Sequence, residues 1–151
     1  MSEDRFSLSL SRTYDAAPEE VWRAWTNPEA LQVWLKPEEA FSIATAEADV
    51  RVGGRFRVLM ISGEGKEHEV SGAYREVIPN EKLVMTWIWK SAPEAESLLT
   101  VIFRASGNGT ELELKHERVV ELDERISHEE GWKGSLALLA RYLASRRETQ
   151  T

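Results

Sequence analysis

Two titratable side chains fall where a strand pattern turns them toward an apolar interior, Arg12 in the run Phe6 to Tyr14 and His116 in the run 110 to 117, and a third, Glu76, sits in the run ending at Ile78. An enclosed arginine or histidine can orient a substrate carbonyl or carboxylate. A histidine, with an ordinary pKa of about 6.5, can also give and take a proton near neutrality. Those are the ingredients of ligand orientation and of acid–base chemistry. The plainer account is that charges near strand ends reach water or pair with one another. No further residues reinforce the chemical reading. His68, His116 and His128 are scattered without metal-ligand spacing, so no metal is expected. Gly53-Gly54 and Gly107-Asn108-Gly109 lack a following helix and a phosphate-binding lysine and read as hairpin turns. No serine sits in a nucleophile elbow, the chain has no cysteine, and no cofactor is implied. These residues leave open whether the protein is an enzyme.

Aromatic residues carry a stronger signal. In the stretch MTWIW, period-two alternation puts Met85, Trp87 and Trp89 on one side of a strand together with Leu83. Leu99, Val101 and Phe103 supply the matching face of the next strand, and Leu112, Leu114 and His116 that of the last. A tryptophan buries about 150–250 Å² at about 25 cal/mol per Å², so leaving this face wet would forfeit several kcal/mol per ring. Something apolar must cover it.

The covering elements are legible in the pattern. Phe6, Leu8, Leu10, Arg12 and Tyr14 alternate with Ser7, Ser9, Ser11 and Thr13, the signature of a half-buried strand. Pro18, followed by Glu19 and Glu20, opens a short helix with Val21, Trp22 and Trp25 on one face. Asn27-Pro28 starts a second, with Leu31 and Trp34 on its apolar side. Turn residues then punctuate strands placed near 46–51, 55–61, 67–78, 81–90, 97–105 and 110–117, joined by gaps too short for crossovers and therefore antiparallel. The parity of 70–78 is ambiguous, because Tyr74 and Ile78 share one face and Ala73 and Val77 the other. Ser127-His128-Glu129-Glu130 fits a capping box ahead of Trp132, Leu136, Leu139 and Leu143, predicting a long helix over roughly 128–145. That helix is about 10–12 Å wide, whereas six or seven strands spaced about 4.8 Å apart make a wider surface. Uncovered sheet would form a pocket lined by large rings with few polar groups, the usual character of a small-molecule site.

Composition narrows the partners. The 151 residues, 42% of them hydrophobic, suit one domain over 1–151 with a proper core. With 19 Lys and Arg against 26 Asp and Glu, the net charge of −7 gives no footprint for nucleic acid or an anionic membrane. The acidic N-terminus is too poor in apolar residues for a signal peptide, and no run reaches the roughly 18 apolar residues of a membrane span, so a cytoplasmic location is expected. On the opposite sheet face Val84, Ile88, Leu98 and Ile102 form a candidate surface for a homodimer or another partner.

The segments APEEVWRAWTNPEALQVWL, DVRVGGRFRV, GAYREVIPNEKLVMTWIW, GNGTELELKHE and GWKGSLALLARYL together resemble bacterial single-domain proteins related to the C-terminal domain of the activator of Hsp90 ATPase, within the START-like or SRPBCC superfamily. The resemblance runs from about Leu8 to Leu143. It implies an α+β helix-grip fold: a curved antiparallel sheet wrapped around a long C-terminal helix, two short helices after the first strand, and a hydrophobic cavity between sheet and helix. Relatives of that superfamily bind lipids, sterols, hormones and polyketides, and some are cyclases or aromatases. The implied partner is thus a hydrophobic small molecule, with a chaperone as a further possibility suggested by the family name. The expected lining combines the inward positions read above: Arg12, Met85, Trp87, Trp89, Val101, Phe103, Leu114, His116, Trp132 and Leu136.

Overall fold

The structure is a computed structural model that describes residues 6–119 and 122–149. The chain opens with strand β1, Phe6–Tyr14, followed by helices α1, Pro18–Thr26, and α2, Pro28–Trp34. Proline occupies the first turn of both helices, where a missing N–H is harmless, and Glu19, Glu20 and Glu29 add negative charge at the positive helix ends. Asn27 separates the two helices and caps the second, its side chain accepting from the Glu29 N–H at 2.9 Å.

Six strands follow: β2, Ser42–Ala48; β3, Arg55–Ile61; β4, Glu67–Ile78; β5, Lys82–Trp89; β6, Ser97–Ser106; and β7, Gly109–Val119. Helix α3, Leu122–Thr149, completes the order. All seven strands form one antiparallel sheet in the order β1-β7-β6-β5-β4-β3-β2. The two short helices therefore carry the chain from one sheet edge to the other.

Three expectations need correction. Strand β2 lies earlier than 46–51, because Asp49 to Gly54 fold into a turn in which Gly54 N–H donates to the Arg51 carbonyl at 2.8 Å and Asp49 N–H to the Arg55 carbonyl at 2.9 Å. Gly54 is required there, since a Cβ would strike the Asp49 carbonyl. Helix α3 starts at Leu122, so Ser127 to Glu130 lie within it and do not cap it. The ambiguous parity of β4 resolves as a β-bulge between Tyr74 and Glu76. Val70 and Tyr74 point inward before the bulge, Val77 packs on the core after it, and Ile78 is exposed.

Leu83, Leu99, Val101, Leu112, Leu114, Leu136 and Leu139 are essentially inaccessible and form the centre of the core. The helices divide the concave sheet face. Helix α1 packs on β6 and β7, α2 on β2, and α3 on β1, on β7 and against both short helices. Tyr14 ties β1 to α3 through its hydroxyl, which donates to the Leu136 carbonyl at 3.1 Å, and burial pushes its phenol pKa up. No helix among the described residues is long and apolar enough to cross a membrane.

Candidate functional site

The middle of the sheet, between the ground covered by α2 and that covered by α3, borders a cleft of about 300 Å³. Met60 of β3, His68 of β4, and Trp87 and Trp89 of β5 line its sheet side. Gly131, Trp132 and Ser135 of α3 line the helix side, and Leu35, Pro37 and Phe41 come from the α2–β2 loop. The exposed Ser91, just past β5, completes the lining.

The rings form a continuous cluster. Trp87 meets Trp132 at 5.1 Å, Trp89 edge-on at 6.0 Å and Phe56 at 5.7 Å between ring centres. Trp132 in turn stacks on Trp25 at 5.9 Å, and Trp25 packs edge-on against the fully buried Trp34 at 4.8 Å. Trp87 and Trp132 are buried, whereas Trp89 keeps part of its surface exposed.

Small residues on α3 explain why the loop can lie so close. A Cβ on Gly134 would strike the Pro37 carbonyl, whereas one on Gly131 would make an ordinary contact with the Pro37 side chain at 3.7 Å. Ser135 donates its hydroxyl hydrogen to the Lys36 carbonyl at 2.6 Å, and Lys36 Nζ donates to the Phe41 carbonyl at 2.9 Å. Arg141 and Glu39 pair at 2.8 Å farther along the helix. The Arg141 hydrogen bond, and then its charge, hold the Glu39 carboxyl below the ordinary carboxylate range.

Behind Trp87 and Trp132 lies a directed polar chain. Indole N–H groups only donate, so the 3.1 Å contact of Trp132 Nε1 makes His116 Nδ1 an acceptor. The ring proton is then on Nε2, which donates to Ser97 Oγ at 2.7 Å, and Ser97 passes its own hydrogen to the Trp87 carbonyl at 3.0 Å. His116 is wholly buried and does not line the cleft. The arrangement fixes the Trp132 ring and braces β5 against β6 and β7. It does not present a proton to a substrate.

Two buried donors differ from these. The indole N–H groups of Trp25 and Trp87 find no acceptor among the described residues. An unmet buried donor costs about 1–3 kcal/mol. Trp34 avoids that cost by donating to the Ala24 carbonyl at 2.9 Å.

The structure brings Trp87, Trp89 and Trp132 together at the cleft but disperses the other expected lining residues. Met85, Val101, Phe103, Leu114 and Leu136 are buried in the core, with no share in the cleft lining. Arg12 is half-buried at the β1 edge, where its guanidinium donates to the Ser11 carbonyl at 2.7 Å. Glu76 is half-exposed and lies 3.3 Å from Lys82. On the other sheet face Val84, Ile88, Leu98 and Ile102 are each partly buried. His128 belongs to the stretch whose side chains lie outside the described residues. Among the described residues no group of three or more His, Asp or Glu gathers into a metal-holding cluster.

The lining that sequence reasoning missed comes from the α2–β2 loop, from Met60, His68 and Ser91, and from Gly131 and Ser135 of α3. One signal was available: Gly131, Gly134 and Ser135 recur at helical spacing and mark a face that another backbone can approach.

Comparison with known proteins places these features in a family context. A family model described as Activator of Hsp90 ATPase homolog 1-like protein matches residues 15–144. The human protein named Activator of 90 kDa heat shock protein ATPase homolog 1 is 30% identical over 127 residues, covering 83% of this chain and 33% of that protein. The chain thus spans about a third of the length of the curated relatives it matches. Protein CV1439 from Chromobacterium violaceum superposes with a TM-score of 0.83 at 29% identity, covering 91% of this chain and 96% of that one. The AHSA1 (SPO3351) protein from Silicibacter pomeroyi gives 0.82 at 29% identity, covering 93% and 99%. CalU16 from Micromonospora echinospora gives 0.71 at 25% identity, covering 95% and 79%.

Proposed function

This chain belongs to the Activator of Hsp90 ATPase homolog 1-like family, and from that premise we propose that it holds a small hydrophobic molecule in the cleft between β3–β5, the α2–β2 loop and α3. The observation that carries this reading is the lining itself: about 300 Å³ of space bordered by Trp87, Trp89, Trp132 and Phe41, with no Lys, Arg, Asp or Glu. Such a lining has the makeup of a small-molecule pocket, at the lower end of the usual range of about 300–1,000 Å³. That size favours a compact ring system over a two-chain lipid.

Binding is better supported than turnover. His116 has both nitrogens engaged behind Trp87 and Trp132 and does not line the cleft, and His68, which does line it, has no Asp or Glu beside it in the lining. Titration with an apolar fluorescent probe, alongside native mass spectrometry of protein purified from its host, tests the proposal. Saturable probe uptake that is lost in Trp89→Ala supports it. No uptake and no co-purifying mass would reject it.

The name of the human relative motivates a second reading, association with a heat-shock ATPase. The partly buried apolar residues Val84, Ile88, Leu98 and Ile102 on the outer sheet face are the proposed contact. A purified chaperone of that class, titrated with wild type and with Ile88→Lys, separates the two readings. Binding unaffected by the outer-face charge, or absent altogether, counts against this one.

A further inference from the structure

The polar groups bordering the cleft are few and differ in how they are engaged. Ser135 commits its hydroxyl hydrogen to the Lys36 carbonyl at 2.6 Å, the His68 ring lies against Phe41 at 5.8 Å, and Ser91 is exposed at the margin. Trp87 is different. It borders the cleft and is 4% exposed, yet its indole N–H meets no acceptor among the described residues. No Lys, Arg, Asp or Glu belongs to the lining, so a bound ammonium would meet no counter-charge and a carboxylate or phosphate at most the His68 imidazole. A neutral oxygen acceptor suffers no such penalty and can satisfy the indole donor.

Building on the small-molecule reading above, the geometry points to a neutral aromatic ligand with one hydrogen-bond acceptor, a ketone, ether or phenol oxygen, engaged by Trp87 Nε1. The surrounding rings favour a flat apolar body, through edge and face contacts with Trp89, Trp132 and Phe41. Trp87 Nε1 exposes essentially no surface, so a neighbouring ring must shift to admit the acceptor. Trp89, only partly buried and 6.0 Å from Trp87, is the ring placed to do so.

Three bicyclic probes of matched size test this on the full chain: 2-acetylnaphthalene, which carries an acceptor; 2-ethylnaphthalene, which carries none; and 2-naphthoate, which is charged. The ketone is expected to bind about 3- to 10-fold more tightly than the hydrocarbon, the factor one net hydrogen bond supplies, with naphthoate the weakest. In Trp87→Phe, which keeps an aromatic ring and removes the N–H, ketone and hydrocarbon should bind equally. The indole N–H resonance of wild-type Trp87, assigned through its contacts with Phe56 and His116, should shift with ketone and not with hydrocarbon. That readout does not depend on the variant folding. Equal wild-type affinities for ketone and hydrocarbon, a preference that survives Trp87→Phe, or tightest binding by naphthoate would overturn the donor assignment while leaving the cleft a binding site. Failure of all three probes to bind would overturn both.

Discussion

Trp87 and Trp89 are two positions apart on one strand, yet their surroundings assign them different work. Trp87 is enclosed by Phe56, Trp89, His116 and Trp132, so truncating it removes core packing. Trp87→Ala should cost about 3–5 kcal/mol, measured by urea denaturation. Trp89→Ala should cost clearly less, because that ring keeps part of its exposed surface when folded, but should abolish probe uptake. His116 belongs with Trp87. His116→Ala leaves the Trp132 N–H without an acceptor and the Ser97 oxygen without its donor, a loss of about 2–5 kcal/mol from the cavity and these unmet groups together. Nitrogen-15 shifts of His116 should report the proton on Nε2, and a proton on Nδ1 would break the directed chain described here. The inward position of His116 was legible from strand parity. Its partners were not, because Ser97 and Trp132 become its neighbours only through the pairing of β6 with β7 and the lie of α3.

Among the elements, the junction of the α2–β2 loop with α3 makes the sharpest prediction. Gly→Ala inside a helix ordinarily stabilises by about 0.5–1 kcal/mol. Gly131→Ala should follow that rule, since the added methyl meets only the Pro37 side chain at an ordinary distance. Gly134→Ala should reverse it, because the methyl would strike the Pro37 carbonyl and force the loop off the helix. Paired thermal melts of the two variants check the opposite signs, and probe affinity should fall in Gly134→Ala. The Glu39–Arg141 pair clips the same junction. Its effect on stability is small because both partners are largely exposed. The sign is nonetheless definite. Arg141 lowers the folded-state pKa of Glu39, so the pair's contribution is present above the unfolded-state pKa and is lost as acid carries Glu39 through its lowered folded value. In Arg141→Gln the carboxyl titration, followed by NMR, should return toward the ordinary range.

At the scale of the whole molecule, the sheet was readable where local alternation was unbroken. Leu99 to Phe103 and Leu112 to His116 alternate strictly in burial, and Leu83 to Trp87 does so apart from the buried Thr86. Reading failed where backbone irregularity altered the parity, as at the bulge between Tyr74 and Glu76, or where a turn replaced an expected strand end, as from Asp49 to Gly54. The cleft was legible only as a deficit of covering surface. Its position depends on how three helices share one sheet, a long-range outcome that no local pattern encodes.

That sharing begins with β1, which pairs with β7 so that Tyr14 lies opposite Thr110. Strand β1 thus waits for β7, the last of the seven strands in chain order, before its ladder can form, and such high contact order slows folding. A nascent chain halted ahead of Gly109 would hold an apolar strand with no mate. Ribosome-stalled fragments should therefore stay protease-sensitive until β7 has cleared the exit tunnel.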